Sequence, residues 1–167
     1  MTQVMTPRRA RRMITNCRKG ASMTALKVLT PVDGSPASLR AVDFALEMLS
    51  REPGGSLVVL NVQNAGDVDP FGVAAMAPPD WFQDVASKAS VNTLNSALGK
   101  CKAADISFKP IARTGQVAKT IADVAREEGV NQIVMGTRGL GGIQGLLLGS
   151  VATQVIHLAE VPVTLIK

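Results

Sequence analysis

The chain has few of the residues on which several common kinds of site depend. Tyrosine is absent, aromatic residues make up 3% of the 167 positions, and histidine occurs once, at His157. The two cysteines, Cys17 and Cys101, form neither a CxxC motif nor a Cys/His cluster. This excludes a cysteine-based metal centre or redox motif, and it favours a reducing compartment. His157 has no serine or cysteine partner by motif, so we interpret it as a structural or surface residue.

Long apolar runs are also missing. No segment approaches the roughly 18 consecutive apolar residues that a membrane span needs. The N-terminal segment is basic, but only Met13 and Ile14 stand between its arginines and the polar residues that follow. A secretory signal would require an apolar stretch of about 7–15 residues at that place. We therefore expect a soluble, cytoplasmic protein with no membrane partner.

The net charge of +5 is confined to one end of the chain. Residues 1–22 contain six basic side chains and no acidic one, which leaves 12 basic and 13 acidic side chains over the other 145 residues. Because no aromatic residues interleave with these arginines, nucleic-acid binding is not expected. We predict a disordered extension over residues 1–22 and one folded domain over 23–167. An alternative is that translation begins at Met23.

Apolar residues are plentiful and unevenly distributed. They make up 46% of the chain and fall into short runs separated by segments of helical periodicity. Strands alternating with helices predict one α/β domain, in which a five-stranded open parallel sheet carries helices on both faces. The predicted strands are 26–32, 56–62, 106–113, 132–135 and 161–166. The predicted helices are 36–51, 80 or 81 to 104, 117–128 and 151–158, and Ser35 followed by Pro36 predicts an N-cap with proline at the first helical position.

Two connections follow strands at the carboxyl edge of this predicted sheet, where ligands bind in open α/β folds. One is Pro31–Ser35, after the first strand. The other is Gly136–Ser150, after the fourth strand, with six of the 15 glycines and no acidic residue. A glycine-rich loop before a helix can turn backbone N–H groups toward an anion. A third connection, residues 64–79, is predicted to be a mobile loop that is either functional or disordered.

Two common nucleotide motifs do not fit the glycine-rich stretch. A Walker A loop requires Gly-Lys followed by Ser or Thr, and the chain contains no such sequence. A dinucleotide fingerprint requires GxGxxG after the first strand. Here Gly139-Leu140-Gly141 follows the fourth strand, and Gln144 stands where the third glycine belongs. The remaining pattern is Gly136-x2-Gly139-x9-Gly149-Ser150.

This pattern resembles the nucleotide motif of the universal stress protein family in its ATP-binding branch. Val32-Asp33-Gly34-Ser35 is similar to the family's first-strand signature, 134–139 to its fourth-strand signature and 160–166 to its last strand. The resemblance covers about residues 26–167. It implies a Rossmann-like fold, similar to that of the adenine nucleotide α-hydrolases, and an adenine nucleotide, ATP or AMP, as ligand.

The resemblance also implies roles at the base and ribose end of the ligand. Asp33 would accept hydrogen bonds from the ribose or adenine side, beside a wall shaped by Pro31 and Val32. Val62 would lie against the adenine and offer backbone groups to its edge. Met135 would pack near the base.

At the phosphate end the implied roles belong mainly to the backbone. Gly136 and Gly139 would let the backbone approach the ribose and phosphates. Gly149, Ser150 and Val151 would offer N–H groups, and Ser150 also a hydroxyl, to the outer phosphates. Alternatives stay open for single residues: Gly136 as a turn residue and Ser150 as a helix N-cap.

Arg138 has two interpretations of equal weight. It could donate charge-assisted hydrogen bonds to a phosphate, or it could be a solvated loop residue. Magnesium could accompany the nucleotide phosphates, because the glycine-rich loop itself offers no carboxylate.

Three functions are compatible with these residues. The first is a nucleotide-dependent regulatory module of the stress response that acts through protein partners. The second is a slow ATPase or nucleotidyl-transfer enzyme, for which no residue pair argues. The third is a structural dimer without bound nucleotide. The resemblance implies a homodimer formed through the apolar last strand, residues 161–166.

Overall fold

A computed structural model describes residues 25–64, 81–141 and 148–167. The predicted extension 1–22 and nearly all of the predicted loop 64–79 lie outside these residues. The strands are β1 (Lys27–Pro31), β2 (Ser56–Gln63), β3 (Ser107–Thr114), β4 (Gln132–Gly136) and β5 (Val163–Ile166). The helices are α1 (Pro36–Leu49), α2 (Trp81–Ala103), α3 (Val117–Glu127) and α4 (Ser150–Leu158).

The strands form one parallel sheet in the order β3-β2-β1-β4-β5. The chain therefore runs from β1 outward to β3, crosses back over the sheet in α3 and continues from β4 to β5. The predicted fold class is confirmed. The strand order reverses between β1 and β4, which brings the two connections singled out in the sequence to one place.

Each face of the sheet is covered by two helices, which explains the apolar strands. On one face Val28, Leu57, Val59 and Val134 pack with buried residues of α1 and α2, including Cys101. On the other face Leu29, Val58, Leu60 and Ile133 pack with buried residues of α3 and α4. Both sides of the central strands are thus removed from water. Within the described ranges, no helix combines the length and the apolar character that a membrane span requires.

Local signals in the sequence fix the start of α1. Ser35 is the N-cap, its hydroxyl oxygen accepts the Ser38 N–H at 3.2 Å, and Pro36 occupies the first helical position. A capping hydroxyl followed by proline is a preferred helix start, since proline lacks the N–H that would be unpaired there. This start lies beside the carboxyl end of β1, so the cap also shapes the candidate site.

Two predicted boundaries near the C-terminus are wrong by one or two residues. β5 begins at Val163, so Val161 and Pro162 precede the strand. The cause is that β4 is short. Its first residue paired with β5 is Ile133, which lies opposite Val163, so β5 has no strand partner among the described residues before Val163. Helix α4 begins at Ser150 and not at Val151.

Glu128 joins the amino ends of β1 and β3 to the end of α3. Its carboxylate accepts hydrogen bonds from Lys27 at 2.9 Å and from Lys109 at 2.7 Å. Lys27 also donates to the Glu128 carbonyl oxygen at 2.7 Å. Hydrogen bonds from Lys109 and Lys27 hold the pKa of Glu128 below its ordinary value, although desolvation opposes them.

We expect Glu128→Gln to lower the free energy of unfolding by about 1–2 kcal/mol at pH 7, because two charge-assisted hydrogen bonds are lost. The folded state lowers the pKa of Glu128, so its contribution is complete above the unfolded-state pKa of about 4.3. That contribution disappears as the pH falls through the folded-state pKa. The difference between wild type and variant should therefore shrink toward pH 3 in urea titrations. Glu47→Gln is the control, since its pair with Arg51 is exposed, and we expect a change within about 0.5 kcal/mol.

Candidate functional site

A cavity of about 430 Å³ opens at the carboxyl edge of the sheet, between β1 and β4. It lies at the point where the strand order reverses, as expected for a ligand site in an open α/β sheet. Its walls come from the ends of β1, β2 and β4 and from the first turns of three helices, α1, α3 and α4. The fold thus gathers residues from the whole length of the domain around one space.

All of the site residues predicted from the sequence line this cavity. They are Pro31, Val32, Asp33, Val62, Met135, Gly136, Arg138, Gly139, Gly149, Ser150 and Val151. Their proximity is an observation, whereas their roles toward a ligand stay predictions. Further lining residues were not predicted: Ser38, Leu60, Val117, Ile121, Thr137, Leu140, Gly141 and Ala152.

One side of the cavity is apolar. Pro31, Leu60, Val62, Ile121 and Met135 form a wall on the face of the sheet that α3 covers. The sequence did carry a signal for Ile121, which belongs to the apolar stripe of α3. Because α3 begins right after the carboxyl end of β3, its first turns had to lie at the same edge. This wall can accept a flat apolar group such as a nucleobase.

Asp33 is held in place by backbone N–H groups on both of its carboxylate oxygens. Oδ1 accepts the Ser35 N–H at 2.9 Å, and Oδ2 accepts the Leu140 N–H at 3.1 Å. Burial alone would raise the pKa of Asp33, but hydrogen bonds from Ser35, Ser38 and Leu140 outweigh it and lower the pKa below its ordinary value. Asp33 is thus charged at neutral pH, and it ties the β4 loop to the end of β1.

Glycines at two lining positions are required by close approach. A Cβ on Gly139 would collide with the Asp33 carboxylate, so only glycine lets the loop lie over that side chain. A Cβ on Gly136 would lie 2.9 Å from the carbonyl carbon of Ala37 in α1. The second approach means that Gly136 packs β4 against α1, in addition to lining the cavity.

Helix α4 points its N-terminus into the cavity. Its N-cap is Gly149, which has no side-chain oxygen to accept the first N–H groups. The alternative that Ser150 is the N-cap is therefore wrong, since Ser150 is the first helical residue. The N–H groups of Ser150, Val151 and Ala152 precede the first helical acceptor pairing, Thr153 to Gly149. Such N–H groups and the helix dipole favour an anion.

The charged side chains that line the cavity, among the described residues, are Asp33 and Arg138. Arg138 is exposed, and it makes no ion pair with any residue that the structure describes. It is thus available to an anionic group at the cavity mouth. In the same part of the chain, no group of three or more His, Cys, Asp or Glu side chains could hold a metal ion.

Sequence comparison matches residues 25–167 to the model of the universal stress protein family. Universal stress protein YxiE of Bacillus subtilis is 30% identical over 146 residues, which cover 84% of this chain and 98% of that protein. A universal stress protein of Mycolicibacterium smegmatis is 30% identical over 150 residues, and the chain spans 48% of its length.

Solved structures share the fold. The structure of protein MJ0577 has a TM-score of 0.75 at 22% identity, covering 87% of this chain and 97% of that one. A universal stress protein in complex with cAMP has a TM-score of 0.60 at 24% identity, covering 86% and 97%. An AMP-bound family protein from Arabidopsis thaliana has a TM-score of 0.58 at 22% identity, covering 85% and 91%.

Proposed function

Because this chain belongs to the universal stress protein family, we propose that it binds an adenine nucleotide, ATP or AMP, in the cavity between β1 and β4. The observation that carries the proposal is that Gly136, Gly139, Gly149 and Ser150, spaced as in the family motif, line the same cavity as the apolar wall. The AMP and cAMP bound by two proteins of the same fold support the ligand class.

The base would lie against the apolar wall and meet the end of β2. Val62 lines the cavity, and β2 extends past the last residue of β1 with which it pairs, Leu60 opposite Pro31. The backbone N–H and C=O of Val62 therefore point to a side where no strand continues. One donor and one acceptor at that spacing complement N1 and the 6-amino group of adenine.

The phosphates would lie at the N-terminus of α4. This position offers N–H groups and a positive dipole end, with Arg138 as a further cation. Asp33, on the opposite side of the loop, would accept a ribose hydroxyl. Magnesium, if it takes part, would be held by the phosphates themselves.

The hydrogen bonds and the charge of Asp33 favour nucleotide binding over nucleotide hydrolysis. Asp33 is the one carboxylate among the described residues that line the cavity. Both oxygens of Asp33 already accept backbone N–H groups, and the charged form is stabilised. A general base needs a pKa near the working pH, and these hydrogen bonds hold the pKa of Asp33 below its ordinary value. We therefore propose a regulatory module that changes its partners with nucleotide occupancy, and not an efficient ATPase.

Isothermal titration calorimetry of the purified protein with ATP, AMP and GMP tests the ligand. We expect saturable binding of ATP and AMP at one site per chain and weaker binding of GMP. The absence of heat from both adenine nucleotides, together with no nucleotide released on denaturation and detected by mass spectrometry, would contradict the proposal. Rapid single-turnover hydrolysis that disappears in Asp33→Ala would favour the enzyme.

We further propose that two chains pair through the free edge of β5. β5 is an edge strand of the sheet, and its four residues are only partly buried. The carbonyl groups of Pro162 and Ile166 accept the N–H groups of Ile133 and Thr137, so Val163 and Leu165 direct their backbone groups outward. An unpaired apolar edge of this kind favours strand pairing.

Val163→Pro removes one outward N–H and keeps an apolar side chain, so we expect the dimer to weaken without loss of the β4–β5 ladder. Light scattering at about 10 µM should give twice the chain mass for wild type and a lower average mass for the variant. Thr153→Ala, on the exposed side of α4, is the control and should stay dimeric. A monomeric wild type would contradict the proposed interface.

A further inference from the structure

Asn61 places a buried amide in the middle of an apolar strand. In the sequence, Asn61 comes directly after four fully buried apolar residues, Leu57, Val58, Val59 and Leu60. Asn61 itself is only 2% exposed. The amide is not stranded among apolar neighbours, since Nδ2 donates to the Val32 carbonyl oxygen at 2.7 Å. A buried polar side chain needs a hydrogen-bond partner of this kind. Here the partner, the Val32 carbonyl, belongs to a residue that lines the cavity.

The Val32 carbonyl is the group that the next backbone hydrogen bond of the β1–β2 ladder would use. Val32 donates its N–H to the Leu60 carbonyl at 2.8 Å. In a parallel ladder the following bond runs from the N–H of residue 62 to the carbonyl of residue 32. The backbone hydrogen bonds of the described residues do not include this one. The Asn61 side chain occupies the acceptor instead.

The Asn61 amide can act in this way because its orientation is fixed. Its Oδ1 accepts a hydrogen bond from Gln63 Nε2 at 2.8 Å. An amide has one donor end and one acceptor end. With the acceptor end taken up by Gln63, the donor end faces Val32. The neighbouring residue along β2, Val62, lines the cavity on the opposite face of the sheet.

We propose that Asn61 is a positioning residue that keeps the Val62 N–H available to the ligand. By satisfying the Val32 carbonyl from the side chain, Asn61 ends the β1–β2 ladder at Leu60 and prevents the two strands from closing over the base site. It acts through Val32 and Val62 and does not itself line the cavity. This inference rests on the proposed function, which supplies the adenine nucleotide as the ligand. The role of Asn61 itself is argued from the hydrogen bonds at the end of the β1–β2 ladder.

Hydrogen exchange of the free protein, followed amide by amide by NMR, tests the mechanism without any nucleotide. We expect the Val62 amide to exchange at least tenfold faster than those of Leu60 and Val58, which belong to the same strand. In Asn61→Leu, the Val32 carbonyl loses its side-chain donor and captures the Val62 N–H. Val62 exchange should then slow at least tenfold relative to wild type.

Calorimetry tests the consequence. In Asn61→Leu we expect the affinity for AMP to fall at least tenfold, and the preference for AMP over inosine monophosphate to fall toward one. Asn61→Asp, which keeps the shape but loses the donor, should show the same change. The control is Asn95→Leu, the same substitution at an exposed position on α2. It should alter neither quantity.

The outcomes separate the two proposals. A Val62 amide that is protected as strongly as Leu60 in the free wild type overturns the inference, even if both variants fail to fold. AMP affinity within threefold of wild type in a folded Asn61 variant overturns it as well. A wild type that binds no adenine nucleotide removes the proposed function, whereas the exchange rate of Val62 still decides whether Asn61 holds the strand end open.

Discussion

Replacing Gly149 with aspartate should leave the protein at least as stable as wild type and weaken AMP and ATP binding more than tenfold. Gly149 is the N-cap of α4 with φ of −76°, a conformation open to any residue. A Cβ there would meet its nearest neighbours, Thr137 O and Arg138 Cα, at 3.4 and 3.5 Å. Aspartate therefore fits, and it is a better N-cap than glycine by a few tenths of a kcal/mol.

The same carboxylate should interfere with the ligand in two ways. It would accept N–H groups of the first helical turn, which are the groups proposed to bind the phosphates. It would also place a negative charge about 4 Å from them, which costs roughly 1–4 kcal/mol at effective dielectric constants between water and a protein surface. A loss of about tenfold to several hundredfold in affinity follows, opposite in sign to the effect on stability.

Gly149→Asn separates these causes, because asparagine caps the helix with the same shape but carries no charge. We expect a smaller loss of affinity for Gly149→Asn than for the aspartate variant, and the difference between them reports the charge. Adenosine has no phosphate, so its affinity should be nearly unchanged in both variants. Thermal unfolding and calorimetry are the measurements. Equal binding of ATP by wild type and Gly149→Asp would show that the phosphates lie elsewhere.

The alternation of apolar runs was sufficient to predict the sheet and its helices. Each central strand is buried on both faces, so its sequence is continuously apolar and easy to recognise. Ser35 and Pro36 fixed the start of α1 because capping chemistry is local. The predicted starts of α4 and β5 were wrong by one or two residues, since these starts depend on partners distant in the sequence. Gly149 N–H bonds to the Thr137 carbonyl, and β5 begins where β4 offers a partner.

The site residues also fall into two groups, those that the sequence predicts and those that depend on contacts between distant parts of the chain. The strand-end loops were predicted to form the ligand edge because the topology of a parallel sheet brings all its carboxyl ends together, and the family resemblance implied which residues in them meet the ligand. The topology places Ser38 and Val117, in the first turns of α1 and α3, at this edge, but the direction in which each helix crosses the edge decides whether they line the cavity. Asn61 falls within the predicted strand 56–62, and no sequence motif distinguishes it. Its importance appears only with the Val32 carbonyl 2.7 Å away, a contact between residues 29 positions apart.

The sequence motif alone does not decide why residue 136 is glycine. The spacing assigns it to a ligand, whereas the structure also shows β4 touching α1 at this point. Its missing Cβ would lie 2.9 Å from both Ala37 C and Ala37 Cβ, and 3.1 Å from Ser38 N. Two of these atoms are backbone atoms in the first turn of α1, so they cannot move aside as the tip of a side chain could. Packing alone therefore demands glycine at this position.

Gly136→Ala should therefore lower the free energy of unfolding by about 1–3 kcal/mol, the usual cost of overpacking a core. Gly99→Ala is the matched control. Gly99 lies within α2 with nothing inside 4 Å of the added Cβ, so this change should raise stability by up to about 1 kcal/mol through helix propensity. Urea unfolding with unchanged m values measures both.

The same pair of variants should differ in binding. Moving α1 away from β4 displaces Asp33 and Ser38 relative to the β4 loop, so Gly136→Ala should bind AMP several-fold more weakly. Gly99→Ala should bind AMP as wild type does, because α2 contributes no described residue to the cavity lining. If Gly136→Ala proves as stable as wild type yet binds AMP poorly, the glycine serves the ligand alone. If Gly136→Ala is destabilised but its folded fraction binds AMP normally, the close packing of α1 against β4 is the whole reason for this glycine. The glycine of the family motif at this position is then required by helix packing and not by contact with the ligand.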